Sequence, residues 1–257
     1  MAYPELPQIV SREEWRAARG ELQAKEDAVA RARDAVNAER RALPMVEVAE
    51  EYVFDGGDGK AGLLDLFRGR RQLVVHHFMF APEWEAGCRG CSAFLDQVGH
   101  LAHLHARDTS FAVVSRAPFT RILPFKARMG WALPWYSSYE DDFNDDFEAT
   151  LQRDGTLVER AGISCFLLEG DRVFHTYSTY ENCEAYGDSA APGSGESPES
   201  PGSYGNLNVY GEYGKFGVCG ARETGLGRLG SIVGLLDLTA LGAVSGIPLR
   251  YHDEYDC

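Results

Sequence analysis

The chain has 257 residues and a formal net charge of -14. That charge argues against a nucleic-acid backbone or an anionic membrane as its main partner, because both are held by clustered Lys and Arg. Hydrophobic residues make up 44% of the chain, enough to bury a core in one large or two small domains. The stretch Met1-Ala2-Tyr3-Pro4-Glu5-Leu6-Pro7 is neither basic nor followed by an apolar run, so no secretory signal is expected. No apolar segment is long enough to span a bilayer. The expected compartment is a reducing cytoplasm, where six cysteines are not expected to form a disulfide framework. A close cysteine pair there points instead to catalysis or metal binding.

Ser11-Arg12-Glu13-Glu14 places Ser at an N-cap with Glu three residues on, a capping box. It predicts a long helix to about Ala42 that stops before Pro44. Trp15, Leu22, Val29 and Val36 recur at a seven-residue spacing with Ala18 and Ala32 beside them, but Lys25 and Glu39 interrupt the second row. Two readings stay open: a helix packed on its own domain, and an arm that joins two copies into a homodimer. Val46 to Phe54 alternates weakly and runs into the turn cluster Asp55-Gly56-Gly57-Asp58-Gly59. Leu63, Leu64, Leu66 and Phe67 then suggest a helical turn ending near Gly69.

The run Leu73-Val74-Val75-His76-His77-Phe78-Met79-Phe80 predicts a buried strand with His76 and His77 on opposite faces. Cys88-Arg89-Gly90-Cys91 follows and opens a helical pattern carrying Phe94, Leu95, Val98, Leu101 and Leu104. A strand, then C-x-x-C, then a helix is the layout of a thiol–disulfide site. The helix start favours thiolate over thiol, and Arg89 adds a positive charge beside the first sulfur. Half of a zinc site is the competing reading, but Cys165, Cys183, Cys219 and Cys257 stand singly and supply no second pair. Two incidental buried cysteines are the plainest alternative.

Phe111 to Ser115 predicts a second buried strand, Phe119 to Met129 a helix, and Trp131 to Ser138 an extended segment interrupted by Pro134. Gly162 to Leu168 predicts a third strand, turning at Glu169-Gly170-Asp171 into Arg172 to Tyr177 as a hairpin. Strand, helix, strand, helix and a terminal hairpin make a thioredoxin arrangement. The acidic run Glu140 to Glu148 lacks the glycine and closing Glu of a calcium loop and reads as a solvated loop. Residues 187 to 206 hold 13 Gly, Ser or Pro among 20 positions and predict a loosely held insertion. Gly225-x-Gly227-x-x-Gly230 matches a dinucleotide fingerprint in letters only, since no room for a βαβ unit follows it. Ser231 to Leu241 predicts a last helix over the sheet.

Several of these residues also carry a resemblance. They include Ser11 to Trp15, Glu39 to Pro44, Tyr52 to Gly56, His77 to Phe80, Cys88-x-x-Cys91-Ser92 and Ser115-Arg116-Ala117-Pro118. Arg128 to Trp131, Phe143-Asn144-x-Asp146-Phe147 and Phe174-His175-Thr176-Tyr177-Ser178-Thr179-Tyr180 continue the series. Together they resemble the thioredoxin-like family known as domain of unknown function 899, labelled as dithiol–disulfide oxidoreductases. The resemblance spans residues 8–180 and resumes at 229–241 with Leu236-Asp237-Leu238-Thr239. Residues 181–228 have no counterpart in the family pattern. Gly162-Ile163-Ser164-Cys165 lacks the proline that thioredoxins place opposite their dithiol.

The expected protein is an α/β chain with a thioredoxin-like mixed sheet flanked by helices. A helical arm over 1–45 precedes the thioredoxin-like domain over 46–180. An insertion over 181–228 and a C-terminal helix and tail over 229–257 complete it. Cys88 is the expected nucleophile, Cys91 the resolving thiol and Arg89 the thiolate's stabiliser, acting on a thiol or disulfide substrate with no cofactor. One alternative is a copper or zinc site of Cys88, Cys91 and His175, with His77 as a further ligand, on the expectation that the hairpin brings His175 toward the dithiol. Copper-handling relatives in the thioredoxin superfamily use two cysteines and one distant histidine. A peroxiredoxin-like peroxidase is a second alternative, weakened because Pro82 is one residue too close to Cys88 and no threonine lies between them.

Overall fold

The computed structural model describes residues 7–153, 155–181, 232–242 and 251–255. They fall into two compact units, Met1–Ala42 and Leu43–Cys257. Apart from Glu181, the expected insertion and the Gly225–Gly230 run lie outside the described residues. Among those residues no helix is long and apolar enough to cross a membrane.

The first unit is helix α1 (Arg12–Arg41). Its capping box forms as the sequence implies, with Ser11 Oγ accepting from the Glu14 amide and Glu14 Oε2 accepting from the Ser11 amide. The row Trp15, Leu22, Val29 and Val36 is exposed.

In the second unit, eight strands form one sheet. They are β1 (Val46–Val48), β2 (Val53–Gly56), β3 (Gly59–Gly62), β4 (Gln72–His77), β5 (Thr109–Ser115), β6 (Trp135–Ser137), β9 (Gly162–Glu169) and β10 (Arg172–Tyr180). Their order is β1-β10-β9-β4-β5-β6-β2-β3, and β7 (Thr150–Arg153) pairs with β8 (Thr156–Glu159) as a separate hairpin. The helices are α2 (Leu63–Leu66), α3 (Arg89–Leu95), α4 (Ala102–His105), α5 (Phe119–Met129), α6 (Phe143–Asp146) and α7 (Ile232–Asp237). Within the sheet, β4 runs parallel to β5 and antiparallel to β9, and β9 turns back into β10. With α3 and α4 between β4 and β5, this is the thioredoxin-like arrangement.

Strand β4 is buried along its whole length, which is why it reads as a continuous apolar run rather than an alternation. Its residues split by parity between two cores. Val74 joins Cys91, Phe94, Leu104, Ile122, Phe125, Ile163, Cys165 and Leu235 on one face. Leu73 and Val75 join Tyr52, Phe54, Leu66, Phe143, Phe147 and Phe166 on the other. Buried Gln72 ties the C-terminal segment to the sheet. Its amide donates to Thr109 Oγ1 at 3.0 Å and its carbonyl accepts from the Leu241 amide at 2.8 Å.

Three local expectations change. The helix after the dithiol is broken into α3 and α4, which are separated by residues 96–101. The acidic run is not a solvated loop throughout. It contains α6, Phe143 is fully buried, and Asp141 and Asp146 accept from the Val53 amide and the Tyr52 hydroxyl. The last helix is shorter than its apolar pattern, ending at Asp237.

Candidate functional site

The segment after β4 folds back so that the Cys88 amide donates to the Met79 carbonyl at 3.0 Å. Gly87 permits this turn, since a Cβ there would collide with the Phe78 ring. Cys88 is the N-cap of α3, and its carbonyl accepts from the Ser92 amide at 3.0 Å and the Ser92 hydroxyl at 2.8 Å. One turn on, Cys91 is only 2% exposed, while Cys88 is half-buried. Both are free thiols. Cys88 is among the partly buried residues, with Trp84, Phe119, Met129 and Trp131, that pack against the core on this face of the sheet.

The two sulfurs are electrostatically unequal. The Cys91 thiol donates to the Cys88 sulfur, and the amides of Cys91 and Gly90 add to that. Against the opposing effect of burial, these hydrogen bonds bring Cys88 down to about 7. Burial pushes Cys91 well up, and its role as donor to Cys88 pushes it further. The groups that lower Cys88 most are the Cys91 thiol and the backbone amides of Cys91 and Gly90, and Arg89 follows Cys88 as the first residue of α3. The charge of Glu181, just past β10, opposes ionisation of both thiols. Glu181 is held there by its amide, which donates to the Ala161 carbonyl at 2.9 Å. Nothing in the sequence marks it, because it is brought to the dithiol only by the pairing of β9 with β10.

His76 is the other residue on this side that the site reading overlooked. It is fully buried, its ring centroid is 4.6 Å from that of Phe94 on α3, and its Nδ1 donates to the Gly162 carbonyl at 3.0 Å. Burial lowers it to about 4, so the imidazole under the dithiol helix is neutral.

The structure does not bring His175 and His77 to the cysteines. His77 stacks on Phe143, and His175 meets Phe147 and Phe166, all members of the core on the opposite face. The physical reason is parity combined with a register shift. His175 pairs with Phe166 and Tyr177 with Cys165, so Thr176 is an extra residue in β10. That bulge turns Tyr177 to the cysteine face and leaves both His175 and Ser178 on the other. Among the described residues no group of three or more His, Cys, Asp or Glu could hold a metal ion. The copper or zinc site of Cys88, Cys91, His175 and His77 is therefore not assembled.

Against this geometry, the model of the family described as "Bacterial protein of unknown function (DUF899)" matches residues 4–255. The chain belongs to the DUF899 family. No curated protein matches this DUF899 chain. Among solved structures it is similar to a peroxiredoxin Q of Xanthomonas campestris, at 18% identity and a TM-score of 0.40, over 50% of this chain and 78% of that one. Similar too is the peroxidoxin BcpB of Mycobacterium tuberculosis, at 16% identity and a TM-score of 0.41, over 53% and 84%. A third is a putative thiol:disulfide interchange protein DsbE of Chlorobium tepidum, at 12% identity and a TM-score of 0.37, over 53% and 84%.

Proposed function

We propose that this DUF899 protein is a thiol–disulfide oxidoreductase that works through Cys88 and Cys91. The observation that carries the reading is the inequality of the two thiols. Cys88 is lowered to about 7 and reachable, while Cys91 is buried and raised. A thiolate near ambient pH is the effective attacking species in disulfide exchange. Cys88 attacks one sulfur of a disulfide substrate, and the other leaves as a thiolate. Cys91 then attacks the Cys88 sulfur of the mixed disulfide, releasing the second thiol and leaving a Cys88–Cys91 disulfide. Two electrons pass to the substrate, and a dithiol or two monothiols restore the pair. The exchange runs on the sulfurs alone and needs no metal or cofactor.

In glutathione buffers of graded poise, the native protein is expected to show a reversible loss of two hydrogens, mapped by mass spectrometry to a Cys88–Cys91 disulfide. A protein that stays reduced across the range, or forms only glutathione adducts, does not perform this exchange.

A further inference from the structure

The run Phe174 to Tyr180 is only partly absorbed by the dithiol. On the face away from the cysteines, three side-chain hydrogen bonds follow one another. His77 Nε2 lies 2.7 Å from Ser164 Oγ, Ser164 Oγ lies 2.7 Å from Ser178 Oγ, and Ser178 Oγ lies 2.7 Å from His175 Nε2. His77 and Ser164 are buried in the sheet, whereas Ser178 and His175 are half-buried. Both line an open cleft of about 680 Å³, a size that suits a small organic ligand.

Two seryl hydroxyls supply two protons for these three bonds, so at least one imidazole must donate; the Tyr180 hydroxyl, which donates to the Phe147 carbonyl, also meets both serines. His175 Nε2 faces Ser178, so the neutral ring with its proton on Nδ1 turns a lone pair toward that hydroxyl. Nε2 is then a bare lone pair. Ser178 donates to it, Ser164 donates to Ser178, and His77 Nε2–H donates to Ser164. This leaves His77 Nδ1 unprotonated, at an atom with no hydrogen-bond partner among the described residues. A hydroxyl that donates to an imidazole nitrogen 2.7 Å away has the geometry of a nucleophile beside its base. Burial also holds His175 below the ordinary histidine value, so it stands as a neutral base at neutral pH.

We propose that Ser178 and His175 form a second reactive centre, a nucleophile–base pair that accepts an acyl group from an ester bound in this cleft. Ser178 Oγ bonds to the acyl carbon as His175 Nε2 takes its proton. The bond from that carbon to the leaving oxygen breaks, and Nε2 passes the proton to the departing alcohol. Water, deprotonated by the same nitrogen, then attacks the acyl-serine, releasing a carboxylic acid and restoring the hydroxyl. No atom changes oxidation state. The cleft is lined by Glu47, Glu50, Asp146 and Glu148, with no Lys or Arg among its described lining residues. Glu47 and Glu148 are ion-paired with Arg172 and Arg160, which leaves Glu50 and Asp146 as the charges that disfavour an ester carrying a carboxylate, so the substrate class is an uncharged or cationic ester with its apolar part against Val46 and Phe147.

The test is labelling of the native full-length protein with diisopropyl fluorophosphate, with the adduct located by peptide mass spectrometry. The expected result is one adduct on Ser178. It is lost when the protein is first unfolded in urea, absent in Ser178→Ala, and formed at least tenfold more slowly in His175→Ala. The comparison of folded and unfolded native protein stands whether or not the variants fold. No adduct on Ser178 at a concentration that labels a serine hydrolase would overturn the proposal. So would labelling that proceeds equally fast in the unfolded chain or in a folded His175→Ala variant. None of these readouts passes through Cys88 or Cys91, so the outcome is independent of the dithiol chemistry.

Discussion

Replacing Cys91 by Ala is expected to slow alkylation of Cys88 at neutral pH and to speed it in base. The substitution removes the S–H donor that does most to bring Cys88 down to about 7, and the thiol then relaxes toward the free-cysteine value of about 8.5. The thiolate fraction at neutral pH falls roughly fifteenfold for a rise of about 1.5 units. A more basic thiolate is also a better nucleophile, and a Brønsted coefficient of about 0.4–0.5 returns roughly fourfold to fivefold. The net rate at pH 7 should drop about threefold to fourfold, while well above both pKa values the variant should be about fourfold faster than native. The curves must cross, which a plain loss of folding would not produce. The same variant has lost its resolving thiol, so a mixed disulfide formed with glutathione should persist, where the native protein discharges it. Alkylation followed by quenched mass spectrometry checks both outcomes.

A second large effect is expected from Arg116→Met. Arg116 Nε donates to Glu159 Oε1 at 2.6 Å, and the Glu159 side chain is only 4% exposed. Thr150 Oγ1 also donates to the carboxylate, at 3.4 Å. The pair joins the end of β5 to the β7–β8 hairpin. Removing one partner of a buried ion pair strands the other, at a cost of about 3–5 kcal/mol. The 16% exposure of Arg116 places the expected loss at the lower end of that range, about 3 kcal/mol. For a domain of this size that is a drop of roughly 10 °C in melting temperature. The pH dependence has a definite sign. Burial already raises Glu159 above the ordinary carboxylate value, and losing the arginine that opposes this raises it further. A carboxyl raised on folding favours the protonated fold, so the variant's deficit should shrink as pH falls through the Glu159 titration and widen as pH rises. Adding Glu159→Gln should recover most of the lost stability. Thermal unfolding from acid to neutral pH measures all three, and a deficit that does not move with pH would contradict the ion-pair account.

How much of this was legible in the sequence depended on whether the deciding signal was local. Helix α5 was readable to the residue because Pro118 precedes it and Gly130 closes it at a φ of 71°. The placement of His76 and His77 on opposite faces needed only the two-residue period of a strand. The dithiol was visible because an unbroken apolar run preceding C-x-x-C constrains where the cysteines emerge. The β7–β8 hairpin was missed although Asp154-Gly155 is a recognised turn signal, because the flanking residues alternate too weakly to announce strands. The fate of His175 was not legible at all. Simple alternation would carry it and Tyr177 to the same face, and the bulge at Thr176 that separates them depends on pairing with β9. The Cys91 thiol and the first amides of α3 are fixed beside Cys88 by the helix itself, which is why their effect on it follows from the C-x-x-C spacing.

The central claim is that Cys88 is an activated thiol and Cys91 its buried partner. It is tested most directly by the rate of iodoacetamide alkylation at each cysteine of the native, reduced protein across pH, resolved by peptide mass spectrometry. The account predicts that Cys88 reacts first, with a midpoint near 7, while Cys91 stays unmodified until well above that pH. A Cys88 midpoint at or above about 8.5, the value of an ordinary cysteine, or earlier modification of Cys91, would contradict it.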